Sequence, residues 1–306
     1  MSAATFAAAQ VLRALPRATI GRAFGRLADY RWSPALEQIV VGAYARIYGI
    51  SFEECTQSSG WATFDDFFTR ELRPEARPVD PDPRTVVSPA DGTVETAVSV
   101  RSLGILVVKG RTYRVADLLG DEGAQESFSD ALAWVIYLSP RDYHRVHAPV
   151  GGTIVRIRSM AGEYYPVNAV GTRHVTNLFG RNRRVAIELD AEGGLGRVIV
   201  VMVGAMMVGR ITTIGVAGSD VPVGEHVFNP PVGVQRGQEM GVFHLGSTVV
   251  VLVEQARNAD AVRSGGVVRY GQSLWRAPDT SERGTRGQGF ATAAAAGASG
   301  WPGGVR

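Results

Sequence analysis

Two histidines stand three residues apart in Tyr143-His144-Arg145-Val146-His147, directly after the turn-forming run Ser139-Pro140-Arg141-Asp142. Imidazole is the side chain that gains and loses a proton most readily near neutral pH, so a pair in one short segment marks a place for acid–base work. In a helix this spacing puts both rings on one face. In extended chain it puts them on opposite faces, where each ring serves a different step. The other histidines, His174, His226 and His244, are isolated. A surface or packing role is expected for each, although His244 lies close to Ser247.

Ser88-Pro89-Ala90-Asp91-Gly92-Thr93 reads as a turn that projects the Asp91 carboxylate beside a conformationally free glycine. Alone, such an aspartate most often bonds its own backbone. Leu245-Gly246-Ser247-Thr248 opens a strongly apolar strand and sets a hydroxyl behind a glycine whose carbonyl no side chain shields. Attack of the Ser247 hydroxyl on the Gly246 carbonyl converts that peptide bond into an ester. Elimination across the serine Cα–Cβ bond then releases the N-terminal piece and leaves dehydroalanine, which hydrolyses to a pyruvoyl group. The hydroxyl needs a base, and an aspartate that orients a histidine is the recurrent solution. Asp91, a loop histidine and Ser247 supply the three parts, although a Gly-Ser-Thr turn by itself is usually an ordinary strand entry.

Other chemistries are less well served. Lys109 is the only lysine, and it lies in an apolar strand without a recognisable cofactor-phosphate loop, so a pyridoxal enzyme is not expected. A self-made carbonyl removes the need for lysine: a protein-bound pyruvoyl takes the substrate amine as a Schiff base and acts as electron sink when CO2 leaves. His144, His147 and Asp91 would also furnish three zinc ligands with one open position, which makes a zinc hydrolase a rival. A chelator would silence that enzyme and its chain would stay whole. No metal is expected on the preferred reading. The strand-turn patterns at 147–153 and 237–243 look similar to those of biotinyl and lipoyl carriers, but Lys109 lacks the usual Met or Asp neighbours of a carrier lysine.

The elements that must position these groups follow from composition and periodicity. With 306 residues, 45% of them hydrophobic, the chain can bury one large core or two smaller ones. A net charge of +3 suits an anionic surface but falls far short of a nucleic-acid binder, and no nucleic-acid partner is expected. Cys55 is the sole cysteine, which excludes an internal disulfide and a thiolate cluster.

Ile20, Phe24 and Leu27 recur at helical spacing, with Arg22 and Arg26 on another face. Ser33 and Pro34 open a second helix, with Leu36, Ile39, Val40, Ala43 and Ile47 as its apolar stripe. Two readings stay open for these helices: packing on their own core, or binding to acidic lipid with Arg13, Arg17, Arg22 and Arg26. No signal peptide is expected. The most apolar run, 198–208, is shorter than the roughly 18 to 20 residues that span a bilayer, so membrane contact should be peripheral.

From about residue 85 the texture changes to short β-branched runs divided by Gly, Pro and Asp. Strands are expected at 106–108, 134–138, 153–157, 185–189, 198–203, 211–214 and 249–253. The expected fold class is α+β: N-terminal amphipathic helices over 1–60, a mostly antiparallel β-rich catalytic domain over 61–276, and a disordered Gly/Ala-rich tail over 277–306.

Several ordered motifs carry a resemblance. They are Phe64-Asp65-Asp66-Phe67-Phe68-Thr69-Arg70-Glu71-Leu72-Arg73-Pro74, then Pro89-Ala90-Asp91-Gly92, residues 137–147, Asn177-Leu178-Phe179 and Val203-Gly204-Ala205. Gly237-Gln238-Glu239-Met240-Gly241 and Leu245-Gly246-Ser247-Thr248 complete the series. Across this span, from the N-terminal helices to about residue 274, the chain resembles the phosphatidylserine decarboxylase proenzymes of the bacterial, membrane-associated type. Two regions depart from the family's pattern: the tail after Trp275 is longer and more Gly/Ala-rich, and the stretch between residues 224 and 237 looks short.

The resemblance implies that Asp91, His147 and Ser247 form the relay for self-cleavage between Gly246 and Ser247. It implies that Ser247 becomes the covalent pyruvoyl cofactor (pyruvate), and that His144 serves the substrate carboxylate and the proton traffic of decarboxylation. Residues alone do not separate the roles of the two histidines. The implied product is a heterodimer of a β chain (1–246) and an α chain (247–306), with further homodimerisation left open. The implied partner is phosphatidylserine in an anionic membrane, on the cytoplasmic side of the cell membrane.

Overall fold

The computed structural model describes residues 17–205, 210–256 and 265–278. Arg13 and nearly all of the tail expected to be disordered lie outside them.

Two helices lead: α1 (Arg17–Ala28) and α2 (Pro34–Tyr48). The start of α2 follows the sequence signals, with Ser33 Oγ accepting from the Leu36 amide at 3.4 Å and Pro34 in the first turn. Its end is set by Gly49 at φ 66°, a left-handed cap that glycine adopts without steric cost. The face that α2 buries differs from the expected stripe. Val41 and Ala45 are buried, and Tyr44 packs edge-on against Phe64 and Phe67 of a short helix, α3 (Phe64–Phe68). Trp61 and Phe52 complete this aromatic cluster, which straddles residue 60. Leu36, Ile39 and Ile47 instead face outward, with 47%, 67% and 75% of their surface exposed. The row containing Tyr44 wins because rings bury more area than the aliphatic row and gain from edge-to-face contact.

Eleven strands matter for the site. They are β1 (Gly92–Ser99), β2 (Leu132–Leu138), β3 (Arg145–His147), β4 (Gly152–Met160), β5 (Arg184–Ala191) and β6 (Arg197–Gly204). Then come β7 (Arg210–Thr213), β8 (Gly224–Val234), β9 (Glu239–His244), β10 (Ser247–Val253) and β11 (Val267–Val268). Eight form one sheet in the order β8-β4-β5-β6-β10-β2-β1-β11, and three form a smaller sheet in the order β7-β9-β3. Every pairing within these sheets is antiparallel. The fold is therefore α+β, and each expected strand is present.

The strand β10 shows why the apolar run 249–253 was needed. It lies between β2 and β6, and all of its residues are buried. A strand covered on both faces reads as a continuous apolar run and not as an alternation. The small sheet lies on the large one: a Cβ on Gly241 of β9 would stand 2.9 Å from Met202 Sδ of β6. Met240 and Phe243 of β9 belong to the same core as Val200 and Val249. The chain crosses from the small sheet to the large one between His244 and Ser247, with only Leu245 and Gly246 in the gap.

Candidate active site

Ser247 is the first residue of β10, paired with Leu138 of β2 and Gly204 of β6. Its neighbours fix it in place, yet its buried Oγ has no hydrogen-bond partner among the described residues. A buried hydroxyl without a partner loses its hydration uncompensated, a state that Ser247 shares with the adjacent Thr248 hydroxyl. Gly246 has open space where a Cβ would lie. Leu245 takes φ 91°, which a branched side chain rarely adopts.

Asp91 stands at the same end of the sheet. Thr93 of β1 and Thr248 of β10 flank Tyr137 of β2 on its two sides. With adjacent strands about 4.8 Å apart, the backbones near Asp91 and Ser247 lie roughly 10 Å from each other. Gly92 is required here for room and not for conformational freedom, because a Cβ would stand 2.5 Å from the Tyr137 carbonyl oxygen. The buried Asp91 carboxylate accepts from Arg77 at both oxygens, Nε to Oδ1 at 3.1 Å and Nη2 to Oδ2 at 2.6 Å. It also accepts from the Tyr270 amide at 2.8 Å.

His147 lies in a strand and His144 in the loop before it, and the two sit in different surroundings. His147 ends β3. Its Nδ1 faces the Gly237 carbonyl at 2.9 Å, and a carbonyl only accepts, so Nδ1 carries the hydrogen. Nε2 is thereby left with its lone pair, 3.4 Å from the Tyr143 hydroxyl. Tyr270 stacks on the ring at 3.8 Å. Burial pushes the His147 pKa down and keeps the imidazole neutral.

His144 lies just before β3, fully buried, with the Phe68 ring centred 4.1 Å away. Its Nδ1–H donates to the Asp142 carbonyl at 2.8 Å, and Nε2 has no partner among the described residues. Burial drives its pKa down to about 3. The loop that presents it is braced by Asp142 Oδ2, which accepts from the Ser139 amide and hydroxyl, each at 2.7 Å. Buried Arg70 adds a bond from Nη2 to the Arg141 carbonyl at 2.9 Å.

Asp91 and Ser247 stand at one end of the large sheet, while the His147 amide donates to the Pro89 carbonyl at 2.8 Å and the Phe243 amide donates to the His144 carbonyl at 3.0 Å. The expected relay residues Asp91, His147 and Ser247 are not bonded to one another in this structure. Asp91 does not hydrogen-bond His147, whose orientation comes from Gly237, and Ser247 Oγ bonds neither of them. Tyr270 links the pair, holding Asp91 with its amide and His147 with its ring. Arg77 and Tyr270 carry no motif in the sequence, and Tyr143 and Gly237 stand there only as members of longer motifs. Only the charge of Arg77, fourteen residues before an aspartate that needs a counter-ion, left a signal there. Among the described residues no group of three His, Cys, Asp or Glu side chains is arranged to hold a metal ion.

Residues 64–276 match the family model described as phosphatidylserine decarboxylase. Curated relatives carry the name phosphatidylserine decarboxylase proenzyme. The one from Anaeromyxobacter sp. (strain K) is 37% identical over 271 residues, covering 86% of this chain and 95% of the relative. Those from Marinobacter nauticus and Azotobacter vinelandii are 38% and 36% identical, covering 78% and 86% of this chain and 85% and 95% of their own length. By that match, which takes in the strand carrying Ser247 and the segments carrying Asp91 and both histidines, the chain belongs to the phosphatidylserine decarboxylase family.

Proposed function

We propose that this chain is a self-processing phosphatidylserine decarboxylase that cuts itself between Gly246 and Ser247. The observation that carries the reading is the buried, unpartnered Ser247 hydroxyl at the head of a central strand, directly after a glycine with open space beside it. It occurs in a family whose named relatives are proenzymes.

In the cleavage, His147 Nε2 takes the hydroxyl proton, with Asp91 acting on it through Tyr270. Ser247 Oγ bonds to the Gly246 carbonyl carbon as the C–N bond opens, giving an ester and a free amine on residue 247. Loss of the Ser247 Cα proton and of the Gly246 carboxylate from Cβ leaves dehydroalanine. Hydrolysis releases ammonia and leaves pyruvoyl at position 247. Such a group supplies a carbonyl for the substrate amine and a sink for the electrons left when CO2 departs. The orphaned Ser247 site fits it.

His144 serves the second reaction. Its Nε2 is a lone pair in a dry setting, so the empty site favours the neutral ring. An arriving carboxylate brings the negative charge that burial lacks and stabilises the imidazolium. The ring then holds the proton that replaces CO2 on the substrate carbon.

Two cavities support an amphiphilic substrate. A polar cleft of about 280 Å³ runs past Arg70, Arg77, Asp91, Tyr143 and Arg269. An apolar cavity of about 250 Å³ is lined by Phe24, Leu27, Val40, Tyr44, Phe64 and Leu245. Outward-facing Leu36, Ile39 and Ile47 support peripheral docking of α1 and α2 on the cytoplasmic face of the cell membrane. No described helix is long and apolar enough to cross a membrane. The product is a β chain (1–246) held to an α chain (247–306) through β10.

Denaturing mass spectrometry of the purified protein tests the proposal. Two fragments divided after Gly246 are expected, the smaller with a blocked N-terminus, and Ser247→Ala stays full length. Asp91→Ala and His147→Ala should block the cut, whereas His144→Ala should cut yet lose turnover. The opposite outcome for the histidines reverses their roles, and an intact, active wild-type chain overturns the mechanism.

A further inference from the structure

Three residues ahead of Ser247, the His244 ring donates from Nδ1 to Asp65 Oδ2 of α3 at 2.7 Å, and its Nε2 meets the Thr212 hydroxyl at 3.2 Å. Arg210, paired with His244 across β7 and β9, reaches the same Asp65 oxygen at 3.1 Å. It also clasps both oxygens of Asp29, just past α1, at 2.5 and 2.6 Å. Asp65 is buried, so its carboxylate is costly to keep unless these donors stay in place. The next residue, Leu245, lines the apolar cavity together with residues of α1 and α2 and Phe64.

The bond to be cut is therefore approached from a strand end that His244 fixes by its hydrogen bond to Asp65, with Leu245 facing the apolar cavity. On its other side Ser247 is fixed by the pairing of β10. Two short anchors with one left-handed residue between them leave the Gly246 carbonyl little freedom. Reactivity of a bond held against an internal nucleophile is set by such positioning, and a 1 Å displacement from a remote change can cost about a hundredfold in rate.

We infer that Asp65 and His244, tied through Arg210 to the end of α1, are positioning residues that hold the Gly246–Ser247 bond for self-cleavage. The inference rests on the proposed self-cleavage. It makes the N-terminal helical region part of the maturation apparatus, and neither residue touches the reacting atoms.

The full-length chain is made by cell-free translation, and the cleaved fraction is followed in time by denaturing electrophoresis. Asp65→Ala and His244→Ala are expected to cut about tenfold to a hundredfold more slowly than wild type. His244→Asn, whose amide N–H can stand where Nδ1–H stands, is expected to recover most of the rate. The same substitutions in the uncleavable Ser247→Ala chain should leave the thermal midpoint within a few degrees. Alanine variants that cut at the wild-type rate overturn the inference. An asparagine variant as slow as alanine, or as unfolded, also overturns it, because the pair then serves stability alone. A wild-type chain that stays whole refutes self-cleavage itself, a result distinct from either.

Discussion

The ring of Tyr270 lies flat against the imidazole of His147, with 3.8 Å between centroids and 1° between planes, while its amide nitrogen donates to Asp91. Tyr270 follows the proposed cut and the other two precede it. One residue thereby ties the aspartate to the histidine across the two future fragments. Tyr270→Ala should slow self-cleavage about threefold to tenfold, the worth of a ring stack. Tyr270→Phe, which keeps ring and amide, should cut normally in the same electrophoretic time course.

Fragment association follows from sheet order. With β10 between β2 and β6, the piece after the cut is held by two full ladders of backbone hydrogen bonds and a buried apolar strand. The fragments should co-elute on native gel filtration and separate only in denaturant. Separation in native buffer would contradict the central placement.

The two glycines of the site should respond in opposite ways to a methyl group. Gly92→Ala pushes a Cβ to 2.5 Å from the Tyr137 carbonyl and should cost about 1 to 3 kcal/mol, read as a lower melting temperature. Gly246→Ala meets nothing within 4 Å, so it should fold as wild type while shielding the carbonyl and slowing the cut.

Burial of His144 sets a pH dependence of stability. The unfolded ring protonates near its ordinary value of 6.5, the folded ring only near 3. Between those values the unfolded chain binds the extra proton, so stability falls as pH falls, by about 1.4 kcal/mol per pH unit for this group. His147 acts in the same direction. Urea unfolding of the Ser247→Ala chain between pH 7 and 5 should show this slope, and His144→Gln should flatten it. An unchanged slope in that variant would place the titration elsewhere.

Ile39 and Ile47 stand 67% and 75% exposed on α2. Replacing both with aspartate should lower the fraction that floats with phosphatidylserine-containing vesicles severalfold. Salt near 1 M, where charges are screened beyond about 3 Å, should weaken wild-type flotation if the arginines of the N-terminal segment contribute. Salt-indifferent flotation assigns the binding to apolar insertion alone.

The strands were legible because β-branched runs such as 198–203 and 249–253 have few other ways to be buried, and because glycines and prolines bracket them. Periodicity finds the apolar stripe of α2 without saying which of two rows meets Trp61 and Phe67. The hydrogen-bond partners of the candidate residues were not legible in the sequence. Arg77 and Tyr270 act from distant parts of the chain, and Tyr270 acts partly through an amide that every residue possesses. A pattern of side-chain types cannot register a backbone donor. Nor could it foresee that Gly237 would orient His147, because that contact depends on the register between β3 and β9.

The central position of β10 would also make the proposed maturation a one-way passage for folding. Before the cut, the chain delivers its middle strand to the sheet as a tethered segment, at an effective concentration fixed by chain length. After the cut, an unfolded pair would have to find each other by diffusion and insert an aggregation-prone apolar strand between two neighbours already free to close on one another. The finished protein would then persist through slow unfolding and not through an equilibrium it can re-establish, with the precursor the only form that knows the route.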